Sequence, residues 1–336
     1  MVDVNVSISG ILMCCDESLC GLVLGRGYTI EKCNLDTLFF KDKITNGKGD
    51  LNTDYFGSRI VEDESVYFIC IKKNDLIQIE GPSFNANKCV ITDKDCMCES
   101  ELTQYMDKEM EYLNERINLL RLFKSGNIGF RDVFFHYSFT VMGFIKNTLD
   151  HCSHNQTRNT ITSERFILND VEITSCNQWL NDYCNAPYML LKDSIDEFSW
   201  GLEQIDVPTG FEQYTTALEM TLLPQNQPGK KQMLANRISA ILGNTPIEIQ
   251  QLHQKVLDFY RFRSESLHEG DGSNITNSEL HELENITRAV LRKYLMRCKT
   301  EYNLNSDITW DEIKNMIMND MIAQVTTLKS SGILPA

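Results

Sequence analysis

The sequence has few of the features that are typical of proteins that coat nucleic acids, span membranes or are secreted. Its 32 Lys and Arg residues are outnumbered by 47 Asp and Glu residues, which gives a net charge of −15. This balance excludes a broad basic surface for duplex nucleic acid, because such binding depends on clustered cations that displace counterions. No segment approaches the roughly 18 consecutive apolar residues that a membrane-spanning helix needs. Residues 1–5 lack the basic and apolar stretches of a secretory leader, so we expect a cytoplasmic protein without membrane association.

Paired metal-binding cysteines are also missing, although the chain contains 12 cysteines. Residues 96–98 read Cys-Met-Cys and residues 151–154 read His-Cys-Ser-His. Neither stretch has the Cys-x-x-Cys spacing or the second half that structural zinc sites usually show. In a cytoplasmic chain of this length we expect mostly reduced thiols that behave as small apolar side chains. The sequence therefore predicts no metal site and no cofactor.

A complete glycine-rich phosphate loop is absent as well. Residues 25–27 read Gly-Arg-Gly, but the spacing of nucleotide-binding loops is incomplete and no clear helix opens after this stretch. The segment is typical of a turn between two strands.

The N-terminal part of the chain, residues 1–98, has the pattern of a β-rich domain. Apolar residues alternate with polar ones from Val2 to Ile8, as in a strand with one buried face. Residues 65–71 and 76–80 are apolar runs joined by Lys-Lys-Asn-Asp, which predicts a hairpin with a turn in the middle.

Residues 99–204 form a middle region that we expect to be mostly helical. Its first part carries apolar side chains at three- and four-residue spacings until a Ser-Gly pair, which predicts one long amphipathic helix. Residues 130–149 are apolar and aromatic and are interpreted as a further helix. Residues 165–173 indicate a short hairpin, and residues 176–202 indicate helix with an interruption near Pro187.

The C-terminal part has the pattern of a helical bundle. Between residues 205 and 300, apolar residues recur at helical spacing in four consecutive segments with short connections. The third segment opens at Thr245-Pro246, where threonine can cap a helix and proline is favoured at its first position. A last amphipathic helix over residues 308–328 forms a C-terminal extension, residues 301–336. Together with the β-rich N-terminal region, these segments predict an α+β protein.

The end of the third helical segment contains the two residues on which a catalytic function depends. Arg263 and His268 are five residues apart and precede a stretch that contains Gly270 and Gly272. An arginine can hold a phosphate with two hydrogen bonds, and a histidine that titrates near neutral pH can transfer a proton. On a continuous helix this spacing places the two positions about 140° apart. They converge only if the helix kinks or ends between them, or if a second copy of the chain faces the first.

Residues 205–300 resemble a HEPN domain, and more specifically its Apea-like group. The stretches that carry the resemblance are Phe211 with Ala217-Leu218-Glu219, Ala235-Asn236-Arg237-Ile238, and Tyr260 through Gly270. The hallmark of HEPN ribonucleases is an arginine followed after four to six residues by a histidine, often with a polar residue next to the arginine. Arg263, Ser264 and His268 occupy those places.

The resemblance implies an all-helical domain, a homodimer whose third-helix motifs face each other, and metal-independent endoribonuclease activity, often in a toxin or an anti-phage defence effector. It assigns Arg263 to the scissile phosphate, His268 to proton transfer or transition-state stabilisation, and Ser264 to orienting the substrate or the histidine. In such a reaction the 2′-hydroxyl of the RNA attacks the adjacent phosphate. Glu219 and Arg237 also fall at family-like positions, and we expect each to form an internal ion pair that ties helices together.

Two functions remain open at the level of sequence. The first is the HEPN endoribonuclease, which acts on RNA without a cofactor and whose N-terminal region binds a trigger or regulatory partner. The second is a catalytically inactive HEPN adaptor, which would use the bundle to dimerise and to bind a nucleotide or a partner protein. The presence of both Arg263 and His268 favours the enzyme, whereas the overall acidity and Ser264 favour the adaptor.

Overall fold

The computed structural model describes residues 2–46, 67–79, 99–141, 144–153, 164–204, 206–223, 229–269 and 274–335. The chain divides into two compact units. The first unit comprises Met1–Ile117, Ile128–Thr157 and Arg165–Asn177, and the second comprises Asn118–Asn127, Arg158–Glu164 and Gln178–Ala336. An antiparallel sheet lies in the first unit, and the second is built from helices. The α+β class expected from the sequence is therefore confirmed.

The first unit contains the strands β1 (Val2–Met13), β2 (Thr29–Asn34), β3 (Tyr67–Ile79), β4 (Gly129–Val141) and β5 (Phe144–Ser153), with a short helix α1 (Lys41–Ile44) between β2 and β3. These five described strands form one sheet in the order β2-β3-β1-β4-β5, and all neighbouring strands are antiparallel. Val4, Val6 and Ile8 are buried and lie opposite aromatic residues of β4. The strand predicted from their alternation is confirmed, because that alternation places every second side chain on one buried face.

The helix predicted over residues 130–149 is wrong, because this stretch forms β4 and β5. Phe135, Tyr137 and Phe139 alternate along β4, and all three are buried beside the central strand β1. Aromatic residues fit a pleated surface well, and pairing with β1 satisfies the backbone of β4, so tertiary pairing outweighs the helical interpretation. The sheet consequently extends beyond the boundary at residue 98 that the sequence suggested.

The predicted hairpin turn at residues 72–75 is also wrong, because these residues lie inside the continuous strand β3. The ladder with β1 runs through them without a shift of register. Lys73 is only 8% exposed, and its Nζ lies 2.9 Å from Asp75 and 3.0 Å from Glu109. The polar Lys-Lys-Asn-Asp sequence therefore contains a buried ion-pair cluster instead of a turn. Residues 65, 66 and 80 of the predicted hairpin lie outside the described ranges.

The long amphipathic helix predicted after residue 98 is confirmed as α2 (Glu99–Phe123). Its residues up to Ile117 belong to the first unit. There the Tyr105 hydroxyl donates to Asp75 at 2.9 Å, and the Tyr112 hydroxyl donates to the carbonyl of Leu24 at 2.5 Å. The apolar stripe read from the sequence thus serves packing, as such stripes usually do.

The hairpin predicted over residues 165–173 is wrong, because helix α3 (Asp170–Tyr183) begins inside this stretch. The Asn169 side chain accepts a hydrogen bond from the backbone N–H of Glu172 at 3.0 Å, and the Glu172 carboxylate accepts one from the N–H of Asn169 at 3.0 Å. This reciprocal arrangement satisfies two backbone donors that a helix start otherwise leaves unpaired. The capping residues therefore decide the local structure.

The second unit contains a series of helices that begins after the chain turns at Asn185. They are α4 (Ala186–Leu202), α5 (Val207–Leu222), α6 (Lys230–Leu242), α7 (Pro246–Glu269), α8 (Asn277–Leu304) and α9 (Trp310–Ser330). The interruption predicted near Pro187 is confirmed, and so are the four consecutive helices expected between residues 205 and 300, which are α5 to α8. Helix α5 packs against α4, α7 and α8, and α6 packs against α7 and α9.

Helix α4 lies outside the predicted bundle but packs closely against its first helix, α5. A Cβ atom added at Gly201 would lie 2.5 Å from the Tyr214 ring, and one added at Gly210 would lie 3.2 Å from the carbonyl oxygen of Gly201. These distances show that the absence of side chains at both positions permits the approach of the two helices. The helical assembly therefore begins before residue 205.

The C-terminal helix predicted over residues 308–328 is confirmed as α9, which begins with a capping box. The Thr309 hydroxyl accepts from the N–H of Glu312 at 3.3 Å, and the Glu312 carboxylate accepts from the N–H of Thr309 at 2.8 Å. Helix α9 packs against α5, α6 and α8, and it buries Ile313, Met318 and Met321. None of the helices in the described ranges combines the length and the apolar character that crossing a membrane requires.

Candidate functional site

Arg263 lies near the C-terminal end of α7 and contacts α5. Its Nη1 donates to Oε1 of Glu219 at 2.7 Å, and the two side chains are 17% and 13% exposed. Its Nε is buried and has no hydrogen-bond partner among the described residues. The group that the sequence assigned to phosphate binding is therefore held by a carboxylate at low solvent exposure.

Glu219 connects three helices of the second unit. Its Oε2 lies 3.3 Å from Nζ of Lys230, the first residue of α6, while its Oε1 bonds Arg263 on α7. The internal ion pair that the sequence suggested for Glu219 is thus confirmed. Because one carboxylate serves two cations, a change at Glu219 affects both α6 and α7.

Tyr260 completes this arrangement one turn before Arg263. The guanidinium carbon of Arg263 lies 5.8 Å from the centroid of the Tyr260 ring, within the range of a cation–π contact. Burial and the nearby Glu219 carboxylate raise the pKa of Tyr260, so its hydroxyl remains protonated at neutral pH. We call Glu219, Lys230, Tyr260 and Arg263 the Glu219 cluster.

The other two motif residues lie on the same helix as Arg263. Helix α7 is continuous from Pro246 to Glu269, so it does not end between Arg263 and His268. The positions therefore lie about 140° apart around the helix axis. Ser264 is exposed to solvent. The His268 side chain and the glycines at 270 and 272 lie outside the described part of the chain.

Arg237 is buried on α6 and ties this helix to α5 in a different way from Glu219. Its Nη1 donates to the carbonyl of Leu222, the last residue of α5, and burial lowers the pKa of Arg237. Within the described ranges no carboxylate lies at ion-pair distance, so the ion pair predicted for Arg237 is wrong. Carbonyl groups at the end of a helix lack intrahelical partners and attract cations, which explains this pairing.

A cleft of about 490 Å³ opens beside Glu219, between α4, α5 and the first turns of α6 and α9. Its lining includes the carboxylates of Glu219 and Asp311, the ammonium groups of Lys230 and Lys314, and the Trp310 ring. The cleft thus combines both signs of charge with an aromatic wall. No local pattern indicated the cleft, because residues of four helices, between positions 189 and 314, form its walls.

Two further histidines of the second unit have polar partners that the sequence did not reveal. Nδ1 of His281 lies 3.4 Å from Oε2 of the buried Glu284, and this interaction raises the pKa of His281. The buried His253 ring bonds Gln232 at 2.8 Å, and burial lowers the pKa of His253. Either histidine is thus held in place by a neighbour on its own or an adjacent helix.

The metal-binding possibilities are limited in the described part of the chain. No group of three or more His, Cys, Asp or Glu side chains there is arranged to hold a metal ion. Cys96, Cys98 and His154 of the two sequence clusters lie outside the described ranges. Buried thiols that the structure describes, such as Cys176 and Cys298, have pKa values raised by burial to about 12 and remain protonated.

Comparison with known proteins gives no match: no protein-family model, no curated protein and no solved structure matches the chain. The HEPN resemblance therefore stays a prediction from residues 205–300.

Proposed function

We propose that the chain is a metal-independent HEPN-type endoribonuclease that cleaves RNA by attack of a 2′-hydroxyl on the adjacent phosphate, as a toxin or an anti-phage defence effector. The observation that supports this best is the fixed position of Arg263. Glu219 holds its guanidinium at 2.7 Å on the helix that also contains His268. Arg263 binds the scissile phosphate in this proposal, and His268 transfers a proton.

The Glu219 contact supports a positioning role. A guanidinium has five N–H donors, and the bond to Glu219 uses one on Nη1, so the group retains donors for a phosphate oxygen. Catalytic groups act best when neighbouring residues fix their orientation before substrate arrives. Glu219 is thus a positioning residue for Arg263, and Ser264, which is exposed beside it, is available to contact substrate.

A homodimer is part of the proposal because of the helix geometry. Arg263 and His268 lie about 140° apart around the axis of one continuous helix, so a single copy does not direct both towards one phosphate. Two copies of α7 that face each other across a two-fold axis bring Arg263 of one copy towards His268 of the other. The catalytic unit is then shared between protomers.

A second candidate is the catalytically inactive HEPN adaptor, and one specific observation favours it. The Glu219 carboxylate already occupies Nη1 of Arg263, and a carboxylate competes with phosphate for the same donors. In that case the ion pair stabilises the bundle, and the chain dimerises and binds a nucleotide or a partner protein.

One assay separates the two candidates. Labelled single-stranded RNA and transfer RNA are incubated with the full chain in excess chelator, beside Arg263→Ala and His268→Ala. Each substitution is expected to lower the cleavage rate by roughly 100-fold or more, in the range that general acid–base groups contribute. Arg261→Ala is the matched control, because Arg261 lies two residues away and pairs with Asp258 at 3.4 Å outside the Glu219 cluster.

The chemical ends of the RNA products and the cleavage rates of the variants distinguish the nuclease from the adaptor. RNA fragments ending in 2′,3′-cyclic phosphate support the proposed attack, whereas linear 3′-hydroxyl ends contradict it. If the unsubstituted chain cuts no faster than Arg263→Ala and His268→Ala, the nuclease proposal fails and the adaptor is favoured. A monomeric mass at micromolar concentration would count against a shared catalytic unit.

A further inference from the structure

The cleft beside Glu219 contains a lysine, Lys314, that forms no ion pair within 4 Å with a carboxylate of the described residues. The Lys314 ammonium donates to the carbonyl of Met220 at 2.6 Å. Burial lowers the pKa of Lys314 and the nearby Arg237 adds to this effect, whereas Asp311, three residues earlier on α9, opposes it. An anion in the cleft would stabilise this ammonium.

The first turn of α6 adds a second cation and a helix N-terminus to the same cleft. Lys230 and Lys231 open the helix, no acidic residue lies in its first turn, and the preceding Gly229 supplies no side-chain cap. Positive side chains at this end oppose the helix dipole, whereas an anion there is stabilised by the dipole and by the unpaired N–H groups. Lys230 lines the cleft, and its neighbour Lys231 is exposed and does not.

An aromatic and apolar wall lies beside these cations. Trp310 opens α9 and lines the cleft together with Met220 and Met189, whose side chains are partly exposed. The Tyr294 ring supports Trp310 in an edge contact at 6.1 Å. Aromatic side chains next to cations are the usual means by which proteins hold single-stranded RNA, because bases stack on the rings while phosphates meet the charges.

Because the cleft also contains carboxylates, it suits a ligand that is bound through only a few of its phosphate groups. Glu219 is already occupied by Arg263 and Lys230, and Asp311 lies in the first turn of α9, where a negative charge is favourable. The lining also contains one further residue of each sign, Lys192 and Asp193. The lining is therefore close to balanced in charge and unsuited to a duplex, which presents many phosphates at once.

We propose that this cleft binds the single-stranded RNA segment next to the scissile phosphate, with one backbone phosphate held by Lys230 and Lys314 and a base packed against Trp310. The inference rests on the proposed function, because Glu219 is the residue that joins the cleft to Arg263. It gives α6 and α9 a substrate contact outside the Arg263–His268 motif.

The test measures binding apart from cleavage. A fluorescent single-stranded RNA with 2′-O-methyl groups cannot undergo 2′-hydroxyl attack, so its anisotropy with the full chain reports binding alone. The double variant Lys230→Ala, Lys314→Met is expected to bind the RNA roughly tenfold more weakly. The slope of log K against log salt concentration is expected to become shallower by about 0.7, the value for one phosphate contact on a single strand. Lys231→Ala is expected to change binding by less than about twofold at the same salt concentration.

The outcomes distinguish this inference from the proposed function. If the unsubstituted chain neither binds this RNA nor cleaves natural RNA, the proposed function falls and the cleft inference falls with it. If the chain cleaves RNA but the double substitution leaves affinity and salt dependence unchanged, only the cleft inference is overturned. Lys314→Arg keeps the charge and is expected to retain binding. Lys230→Glu reverses the charge and is expected to weaken binding more than Lys230→Ala. This comparison does not involve Lys314 and therefore holds even if Lys314→Met perturbs folding.

Discussion

Glu219 and Arg263 lie 44 residues apart in the chain and form a 2.7 Å ion pair in which the side chains are only 13% and 17% exposed. Lys255 and Glu282 form a pair of the same 2.7 Å length at 40% and 43% exposure. Both pairs join helices of the second unit. They therefore offer a comparison in which burial differs while distance does not.

The first prediction follows from that comparison. A double-mutant cycle of Glu219→Gln and Arg263→Gln is expected to give a coupling free energy of about 1–3 kcal/mol, because Glu219→Gln leaves the poorly solvated Arg263 without its carboxylate, while Arg263→Gln leaves Glu219 with Lys230 alone. The matched cycle of Glu282→Gln and Lys255→Gln is expected to give at most about 1 kcal/mol, as exposed pairs do. The measurement is urea-induced unfolding of the full chain. Equal couplings for the two cycles would show that burial of the Glu219 pair has no energetic consequence.

The second prediction concerns the shared catalytic unit of the proposed dimer. Arg263→Ala and His268→Ala are each expected to be inactive alone, but a mixture of the two, after exchange of subunits, contains dimers with an intact arginine on one protomer and an intact histidine on the other. Activity in the mixture is expected to rise well above the sum of the separate variants. The readout is RNA cleavage over time at fixed total protein.

The control for this experiment uses two variants that lose the same residue. A mixture of Arg263→Ala with Arg263→Gln contains no intact arginine and is expected to stay inactive. If the Arg263→Ala and His268→Ala mixture also stays inactive while mass measurements show mixed dimers, the two residues do not act across the interface, and the dimer part of the proposal is withdrawn.

The sequence predicted the helices of the second unit well because their signals are local. Apolar residues recur every three or four positions along α5 to α8, and a threonine and a proline mark the start of α7. Such features determine a helix before any tertiary contact forms. The resemblance to HEPN domains directed attention to both Glu219 and Arg263, but no local pattern indicated that these two bind each other.

The strands were predicted less well because a strand depends on pairing with residues distant in the chain, and the local sequence does not show that pairing. The aromatic stretch of β4 is compatible with a helix until β1 is placed beside it. Likewise, Lys73 lies in a sequence typical of a turn, and only the approach of Glu109 from α2 explains why it is buried inside a strand. The cleft beside Glu219 was missed for the same reason, since four helices form it.

The third prediction tests the buried position of Lys73 in the first unit. Its ammonium lies between Asp75 and Glu109, and the Tyr28 hydroxyl donates to the same Glu109 at 2.6 Å. Lys73→Met leaves both carboxylates with their tyrosine hydrogen bonds but without a cation, so the free energy of unfolding is expected to fall by about 3–5 kcal/mol. Urea-induced unfolding of the full chain measures the change.

The neighbouring lysine provides the control for this prediction. Lys72 is partly exposed and lies 3.5 Å from Glu31, so Lys72→Met is expected to cost about 1 kcal/mol or less. The two substitutions have the same chemistry at adjacent positions of one strand. Similar losses of stability at Lys72 and Lys73 would contradict the continuous strand β3 and its buried ion pairs.

The fourth prediction uses the opposite pKa shifts of His281 and His253. The Glu284 carboxylate, 3.4 Å away, raises the pKa of His281, and Glu164 adds to this effect, whereas burial and Arg288 oppose it. A raised pKa in the folded state stabilises the fold below the unfolded value of about 6.5, and this contribution is lost as pH rises through the raised value. His281→Asn is therefore expected to destabilise the chain more at pH 5.5 than at pH 8.5.

His253 serves as the internal comparison, because the expected effect of pH on stability has the opposite sign at this residue. Burial lowers its pKa, so its contribution is present above a pH of about 6.5 and is lost as pH falls through the lowered value. His253→Gln is expected to cost less stability at pH 5.5 than at pH 8.5, the reverse of His281→Asn. Because Glu284 has a lowered pKa and titrates only at more acidic pH, it does not interfere in this window. Thermal or urea unfolding at the two pH values gives the result, and pH effects of the same sign for both variants would contradict the contacts described for these histidines.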